Sequence, residues 1–149
     1  MKTSFHELGQ ISFDDKYTPA ERKQIGQGLL SFNNFHTHNR LFKPDGSVDF
    51  ILRNPSGHPM GGIFCEIYLH CMQIDAFWVD DRLRGQGFGQ KLIRKAEQKA
   101  RDLGCTFAHT TTYNFQAPQF YQREGYEIFA ELDGFPDGII MYFLKKPLS

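Results

Sequence analysis

A nine-residue stretch, Arg82-Leu83-Arg84-Gly85-Gln86-Gly87-Phe88-Gly89-Gln90, decides most of what this chain can fold into. Three alternating glycines stand between the β-prone run Gln73–Val79 and a pattern read as a helix from about Gly87 to Leu103. In that pattern Leu92, Ile93, Ala96, Ala100 and Leu103 recur at helical spacing, the basic residues lie mostly around the other face, and Gly104 supplies the stop. A strand candidate follows at Cys105–Thr112. Strand, turn, helix and strand make a βαβ unit, so two strands run parallel.

Such a turn has a chemical use. A helix N-terminus carries N–H groups without partners and the positive end of the helix dipole, and glycines let the backbone approach a phosphate closely. Arg82 and Arg84 add charge that can grip a phosphate through paired hydrogen bonds. A mononucleotide P-loop would need GxxxxGK[ST], which the chain lacks. A dinucleotide fingerprint would need GxGxxG and an acid about 20 residues on; the chain has GxGxG and no acid in Cys105–His109. A coenzyme A pyrophosphate site is the reading left. A turn that binds nothing fits poorly with three glycines and two arginines.

The other elements are hairpin-connected, giving an α/β chain with a mixed sheet and helices on its faces. Ile11-Ser12-Phe13 is a short strand candidate. Thr18-Pro19-Ala20-Glu21 opens a helix with a capping box and Pro at its first position, running to about Asn33 despite Gly26 and Gly28. A polar loop is expected over Asn34–Gly46, then strands at Val48–Leu52, Gly62–His70 and Gln73–Val79, the last two antiparallel. Ala117–Glu124 reads as a short helix ended by Gly125, and Tyr126–Leu132 and Ile139–Leu144 as strands around the turn Asp133–Gly138.

Composition narrows the partners. The 149 residues suit one domain, 1–149, with no linker or repeat. Lys plus Arg and Asp plus Glu balance at 17 each, so no overall field draws the chain to nucleic acid or an anionic membrane. No apolar run reaches a membrane span, and Met1–Glu7 has no hydrophobic leader core, which points to the cytoplasm. Cys65, Cys71 and Cys105 fit no zinc spacing and read as reduced, packed thiols. His36-Thr37-His38 lacks a third ligand and reads as a pair of solvated loop histidines, so no metal is expected. His70 and His109 fall in strands, where they could reach a cleft or sit in the core.

Two segments carry a family likeness. Ile74–Ile93, including the glycine turn, resembles the central motif of the GNAT superfamily of N-acetyltransferases. The run Asn114-Phe115-Gln116-Ala117-Pro118-Gln119-Phe120-Tyr121, followed by Gly125-Tyr126, is similar to that family's second motif, in the family's order and separation. The resemblance covers the C-terminal half closely and the N-terminal half only in element order. It implies the GNAT fold: six or seven strands, a central parallel pair splayed by a bulge, and about four helices.

The resemblance also implies site roles. Acetyl-CoA, a cosubstrate, would enter the gap between the splayed strands, its pantetheine arm pairing with backbone of Phe77, Trp78 and Val79. One N–H there would face the thioester oxygen. Arg84, Gly85, Gln86, Gly87, Phe88 and Gly89 would bind the pyrophosphate. Asn114 would contact pantetheine, cap the short helix, or do both. Tyr121 would give a proton to the departing thiolate, the alternative being a core aromatic beside Phe120. For the general base, Asp75 and Glu66 are the candidate carboxylates, with ordered water the alternative the family often uses and Gln73 unable to serve.

The acceptor should be set by the helix after Pro19, the loop Asn34–Gly46 and the turn Asp133–Gly138. Phe32, Phe35, Phe42, Tyr113 and Phe135 could wall a pocket, and Asp75, Glu66, Glu131 or Asp133 could attract a cation. The expected activity is acetyl transfer to a primary amine of a small molecule. A protein lysine or N-terminus, or a coenzyme-A-binding module without turnover, are the alternatives. Homodimers are frequent in the family, and a homodimer is the expected quaternary state.

Overall fold

The computed structural model describes residues 9–40 and 46–149; Met1–Glu7 and Phe42, read above for a leader and for a pocket wall, lie outside them. The chain divides into two units, at Asn39 and Arg40.

The first unit is built on α1, Pro19–Thr37. Its capping box forms as expected: the Thr18 hydroxyl accepts from the Glu21 N–H at 3.2 Å, and the Thr18 N–H donates to Glu21 Oε2 at 2.6 Å. The helix continues four residues past the expected Asn33, so His36 and Thr37 are helical and not in a loop. The Thr37 hydroxyl donates to the Asn33 carbonyl, and Phe32 and His36, one turn apart, bring their rings to 4.4 Å. His38, in the left-handed region, ends it. The strand expected at Ile11–Phe13 does not form; Phe13 is fully exposed, and a lone extended segment has no ladder to hold it.

The second unit is a six-stranded mixed sheet in the order β1-β2-β3-β4-β6-β5. The strands are β1 Ser47–Arg53, β2 Pro59–Tyr68, β3 Cys71–Val79, β4 Phe107–Tyr113, β5 Glu127–Leu132 and β6 Met141–Pro147. β3 and β4 are the parallel pair and every other neighbour is antiparallel. The connection between β3 and β4 carries α2, Phe88–Asp102, the crossover expected of a βαβ unit. With α3, Pro118–Arg123, the described residues hold three α-helices.

Alternation along the strands sorts the side chains. Val48, Ile63, Cys65, Ile74, Ala108 and Leu144 turn to one face and pack with Leu92, Ile93, Ala96 and Ala100 of α2. Each fully buried Leu or Ile contributes about 2 kcal/mol, so the seam fixes the helix to the sheet. Cys65, Cys71 and Cys105 are all buried. The β2–β3 hairpin is tighter than its sequence suggests: Leu69 and His70 both have positive φ and form the turn, so His70 is not a strand residue. Among the described residues no helix is long and apolar enough to cross a membrane.

Candidate active site

β3 and β4 stay paired only from Cys71↔Phe107 to Ile74↔Thr110. Beyond that point they part. On the other side of β3 the register jumps, with Cys65 opposite Ile74 but Phe64 opposite Ala76, so Asp75 is the extra residue of a bulge. A bulge bends and twists its strand, which turns the end of β3 away from β4. Among the described residues Phe77, Trp78 and Val79 then pair only with β2, opposite Ile63, Gly62 and Gly61, and no described strand lies beside their other backbone edge.

The glycine turn lies at the end of that edge. Gly85 and Gly87 have φ of +73° and +82°, which L side chains rarely adopt. Gly89 is inside α2 and is small for another reason: a Cβ there would meet the Phe120 and Phe77 rings at 3.4 and 3.6 Å. The first N–H paired at the start of the α2 ladder is that of Lys91, to the Gly87 carbonyl, so the N–H groups of Phe88, Gly89 and Gln90 lie ahead of it in the first helical turn. A 3₁₀ turn, Asp81–Leu83, precedes them. Arg82 holds both oxygens of Asp80, at 2.8 and 2.7 Å, and this clamp draws the Asp80 carboxyl down to about 2. Arg84 donates to the Val79 carbonyl at 3.1 Å and pairs with Asp81 at 2.7 Å, while Gln86 donates to the Arg82 carbonyl. The turn is therefore shaped by its own polar side chains, and Arg84 remains largely exposed.

Tyr121, on α3, is buried on the α2 face of the sheet among Phe77, Phe120 and Tyr126. Burial pushes its phenol up to about 12, the Thr110 hydroxyl partly offsetting the effect. Thr110 in turn donates to the Ile74 carbonyl at 3.1 Å. Tyr121 thus reaches the last paired rung below the opening.

The candidate bases lie on the opposite face. Gln73 donates to Asp75 Oδ1 at 3.0 Å and is the cross-strand neighbour of Glu66, so the half-buried Gln73 links two exposed carboxylates, Glu66 and Asp75. The structure separates these carboxylates from Tyr121 by the thickness of the sheet. Of the suggested pocket walls, Tyr113 and Phe135 do meet, with ring centroids 6.3 Å apart, and Phe115 stacks on Tyr113 at 5.4 Å. Phe32 and Phe35 belong to the other unit. Glu131 is the second-last residue of β5 and Asp133 is in the exposed turn after it.

Asn114 does not cap α3. Ala117, in the left-handed region, holds the N-cap position, and no side chain bonds there. Asn114 instead donates to the Gly138 carbonyl at 2.9 Å and accepts from the Ile140 N–H at 3.3 Å, tying the end of β4 to the β5–β6 turn. A second connection has no sequence signal: buried Glu124, at the end of α3, accepts from Gln90 at 2.7 Å and from Arg94 at 3.0 Å. It ties the helix bearing Tyr121 to the first turns of α2. Thirty-four residues separate Gln90 from Glu124, too far for any local pattern.

The profile of the acetyltransferase (GNAT) family matches residues 6–126. Blasticidin-S acetyltransferase of Streptomyces morookaense is 40% identical over 93 residues, 62% of this chain and 68% of that protein. The crystal structure of an acetyltransferase from Bacillus cereus superposes with a TM-score of 0.79 at 25% identity, covering 91% of this chain and 97% of the other. A protein assigned as a streptothricin acetyltransferase from Bacillus anthracis, solved with acetyl coenzyme A, shares the fold with a TM-score of 0.62. It is 20% identical over 70% of this chain and 64% of its own.

Proposed function

The chain belongs to the acetyltransferase (GNAT) family, and we propose that it moves the acetyl group of acetyl-CoA directly to a primary amine of a small molecule. The observation that carries this reading is the opening between β3 and β4, with the glycine turn at the end of β3 and Tyr121 at its base. Coenzyme phosphates suit the first turn of α2, where Gly85 and Gly87 allow close approach and Arg84 supplies charge. The pantetheine arm suits the unpaired edge of Phe77–Val79, which can offer it backbone hydrogen bonds as a neighbouring strand would. Asn114, whose side chain already serves the β5–β6 turn, would meet the same arm with a further lone pair or N–H.

The proposed chemistry asks little of the protein beyond placement. Holding the amine against the thioester carbonyl supplies the entropic part of the barrier. An N–H of Phe77, Trp78 or Val79 would steady the carbonyl oxygen, and Tyr121 would protonate the departing sulfur. The small-molecule acceptor is supported by the 40% identical relative, a blasticidin-S acetyltransferase. A single domain over 1–149 and a homodimer are part of the same reading.

A panel of amines with acetyl-CoA, followed by thiol release and by mass of the product, tests it. Preference for small amines over peptides bearing lysine or a free N-terminus is expected. Transfer only to peptides would replace the acceptor class, and coenzyme binding without transfer to any amine would leave a binding module.

A further inference from the structure

Across the bulged group from Asp75 stands a pair that the proposed chemistry has not used. Tyr68, at the end of β2, brings its hydroxyl to 2.7 Å from Nε2 of His109 on β4, the rings meeting edge to face. His109 is the register partner of Gln73, one rung before Ile74↔Thr110 and therefore one residue short of the point where the strands part. Alternation along β4 puts His109 on the face opposite Thr110, and so opposite Tyr121.

We propose that His109, oriented by Tyr68, is the group that takes the proton from the acceptor amine. The inference rests on the acetyl-transfer reading above. Under it, acid and base flank the opening from its two faces, which leaves the thioester between them and gives the amine the exposed face.

The hydrogen bond occupies Nε2 and leaves Nδ1 as the ring nitrogen that can face the acceptor. Tyr68 and Cys71 flank the β2–β3 turn, so the hydroxyl is held close to the start of β3. The proposal takes the tautomer in which Nε2–H donates to the Tyr68 oxygen, which leaves Nδ1 with a bare lone pair. Burial pushes the Tyr68 phenol up to about 12, so the hydroxyl keeps its proton at working pH. Burial also lowers His109 from its ordinary value, against the pull of Asp75, so the imidazole is neutral and ready to accept. The groups facing it are Tyr68 and Glu66 on β2, Cys71, Gln73 and Asp75 on β3, and Lys145 on β6, its register partner there. Asp75, on this reading, steadies the imidazolium once it forms.

The step balances. The ammonium gives one proton to Nδ1, directly or through water. Its nitrogen lone pair forms the C–N bond with the thioester carbonyl carbon. The C–S bond breaks with its electron pair on sulfur, and sulfur takes a proton from Tyr121. A second amine proton restores Tyr121, and the amide keeps the third.

The test measures kcat against pH with two acceptor amines of different basicity. Wild type should show an acidic limb that stays fixed between acceptors, with a midpoint below about 6.5. His109→Gln should lose that limb and about 100-fold in kcat, with acetyl-CoA affinity within twofold. Tyr68→Phe should keep the limb but move it and lower kcat by a smaller factor. A His109→Gln protein with the same limb and near-normal kcat would overturn the proposal. So would one that loses coenzyme affinity and thermal stability together with turnover, since that would make His109 a structural residue. Wild type that acetylates no amine would instead overturn the acetyl-transfer reading itself.

Discussion

Thr110 Oγ1 donates to the carbonyl oxygen of Ile74 across 3.1 Å, at the last rung on which β3 and β4 are still paired. Both residues are buried, and the Tyr121 phenol lies against the same hydroxyl. The bond pins the base of the opening and gives Tyr121 a fixed neighbour. Thr110→Val keeps the shape and removes the hydroxyl, so it should cost about 1 kcal/mol of stability. It should also lower kcat by roughly fivefold to tenfold through a less well-held Tyr121. Thr110→Ser should restore kcat. Equal kcat in the Val and wild-type proteins, with only the melting temperature changed, would limit Thr110 to holding the strands.

Tyr121→Phe removes the proposed acid and little else. The ring packs against Phe77, Phe120 and Tyr126, and Phe preserves those contacts. Expected are a fall in kcat of about 100-fold and an unchanged coenzyme Kd by calorimetry. The wild-type phenol, held up near 12 by burial, stays protonated throughout the working range. It should therefore put no limb of its own on the pH profile below that value. Turnover equal to wild type would return Tyr121 to a packing role.

The glycine turn was legible because three constraints overlap in nine residues: positive φ, close approach and a helix start. The crossover helix and the parallel pair follow from it. Other features depend on pairing between distant residues, which no local spacing records. The bulge at Asp75 exists only relative to β2, Asn114 finds its partners 24 and 26 residues on, and Glu124 joins α3 to α2. His70 was misplaced because residues other than glycine seldom take the positive φ of a two-residue hairpin turn. The helix overran Asn33 because a threonine hydroxyl and an aromatic pair support a last turn that polar composition argues against.

Arg84→Ala and Gly87→Glu test the turn from two directions. The first removes an exposed charge that could meet a phosphate. The second puts a side chain and a carboxylate at φ +82°, where the helix N-terminus would receive an anion. Both should weaken acetyl-CoA binding by at least about tenfold, since a charge-assisted hydrogen bond is worth roughly 1.5–3 kcal/mol. Unchanged affinity in both would move the pyrophosphate site elsewhere.

Glu97 is an internal anion, 2% exposed, held by Lys146 at 2.7 and 2.9 Å with Arg101 at 3.6 Å. Lys146 comes from β6 and Glu97 from α2, so the pair ties the helix to the distal half of the sheet. Removing one partner leaves the other charge buried, at a cost of roughly 3 kcal/mol. Glu97→Gln should lower the urea midpoint accordingly, while Glu97→Gln with Lys146→Met should recover much of the loss. Full additivity of the two changes would show that the charges act separately.

Gly61 decides how closely β2 can approach the strand proposed to hold the coenzyme. A Cβ there would sit 2.7 Å from the Trp78 carbonyl oxygen and 3.1 Å from Val79 Cα, both backbone atoms that cannot rotate away. Gly61→Ala must displace that part of β3, at a cost of about 1–3 kcal/mol. Because the displaced residues are those proposed to pair with pantetheine, acetyl-CoA affinity should fall along with stability. Loss of stability with affinity intact would place the pantetheine contact away from Trp78 and Val79.

The Asp80–Arg82 clamp predicts an acid-range signature for the turn. Arg82 donates two side-chain hydrogen bonds and its own N–H to the Asp80 carboxylate, and these bring the group to about 2, below its ordinary value of 3.8. A carboxyl lowered on folding stabilises the fold fully above its unfolded value, and the contribution disappears as pH falls toward the folded one. The window is therefore pH 4 down to 2, on the acid side alone. Carboxyl-detected NMR should place the Asp80 midpoint near 2 in the wild type and higher in Arg82→Ala, though still below 3.8 because the residue-82 N–H is kept. Arg82→Ala should also bind acetyl-CoA less tightly, because the clamp shapes the turn ahead of Arg84. An Asp80 midpoint near 4 in the wild-type protein would mean that the clamp is not formed in solution, and that Arg82 is free to meet a phosphate directly.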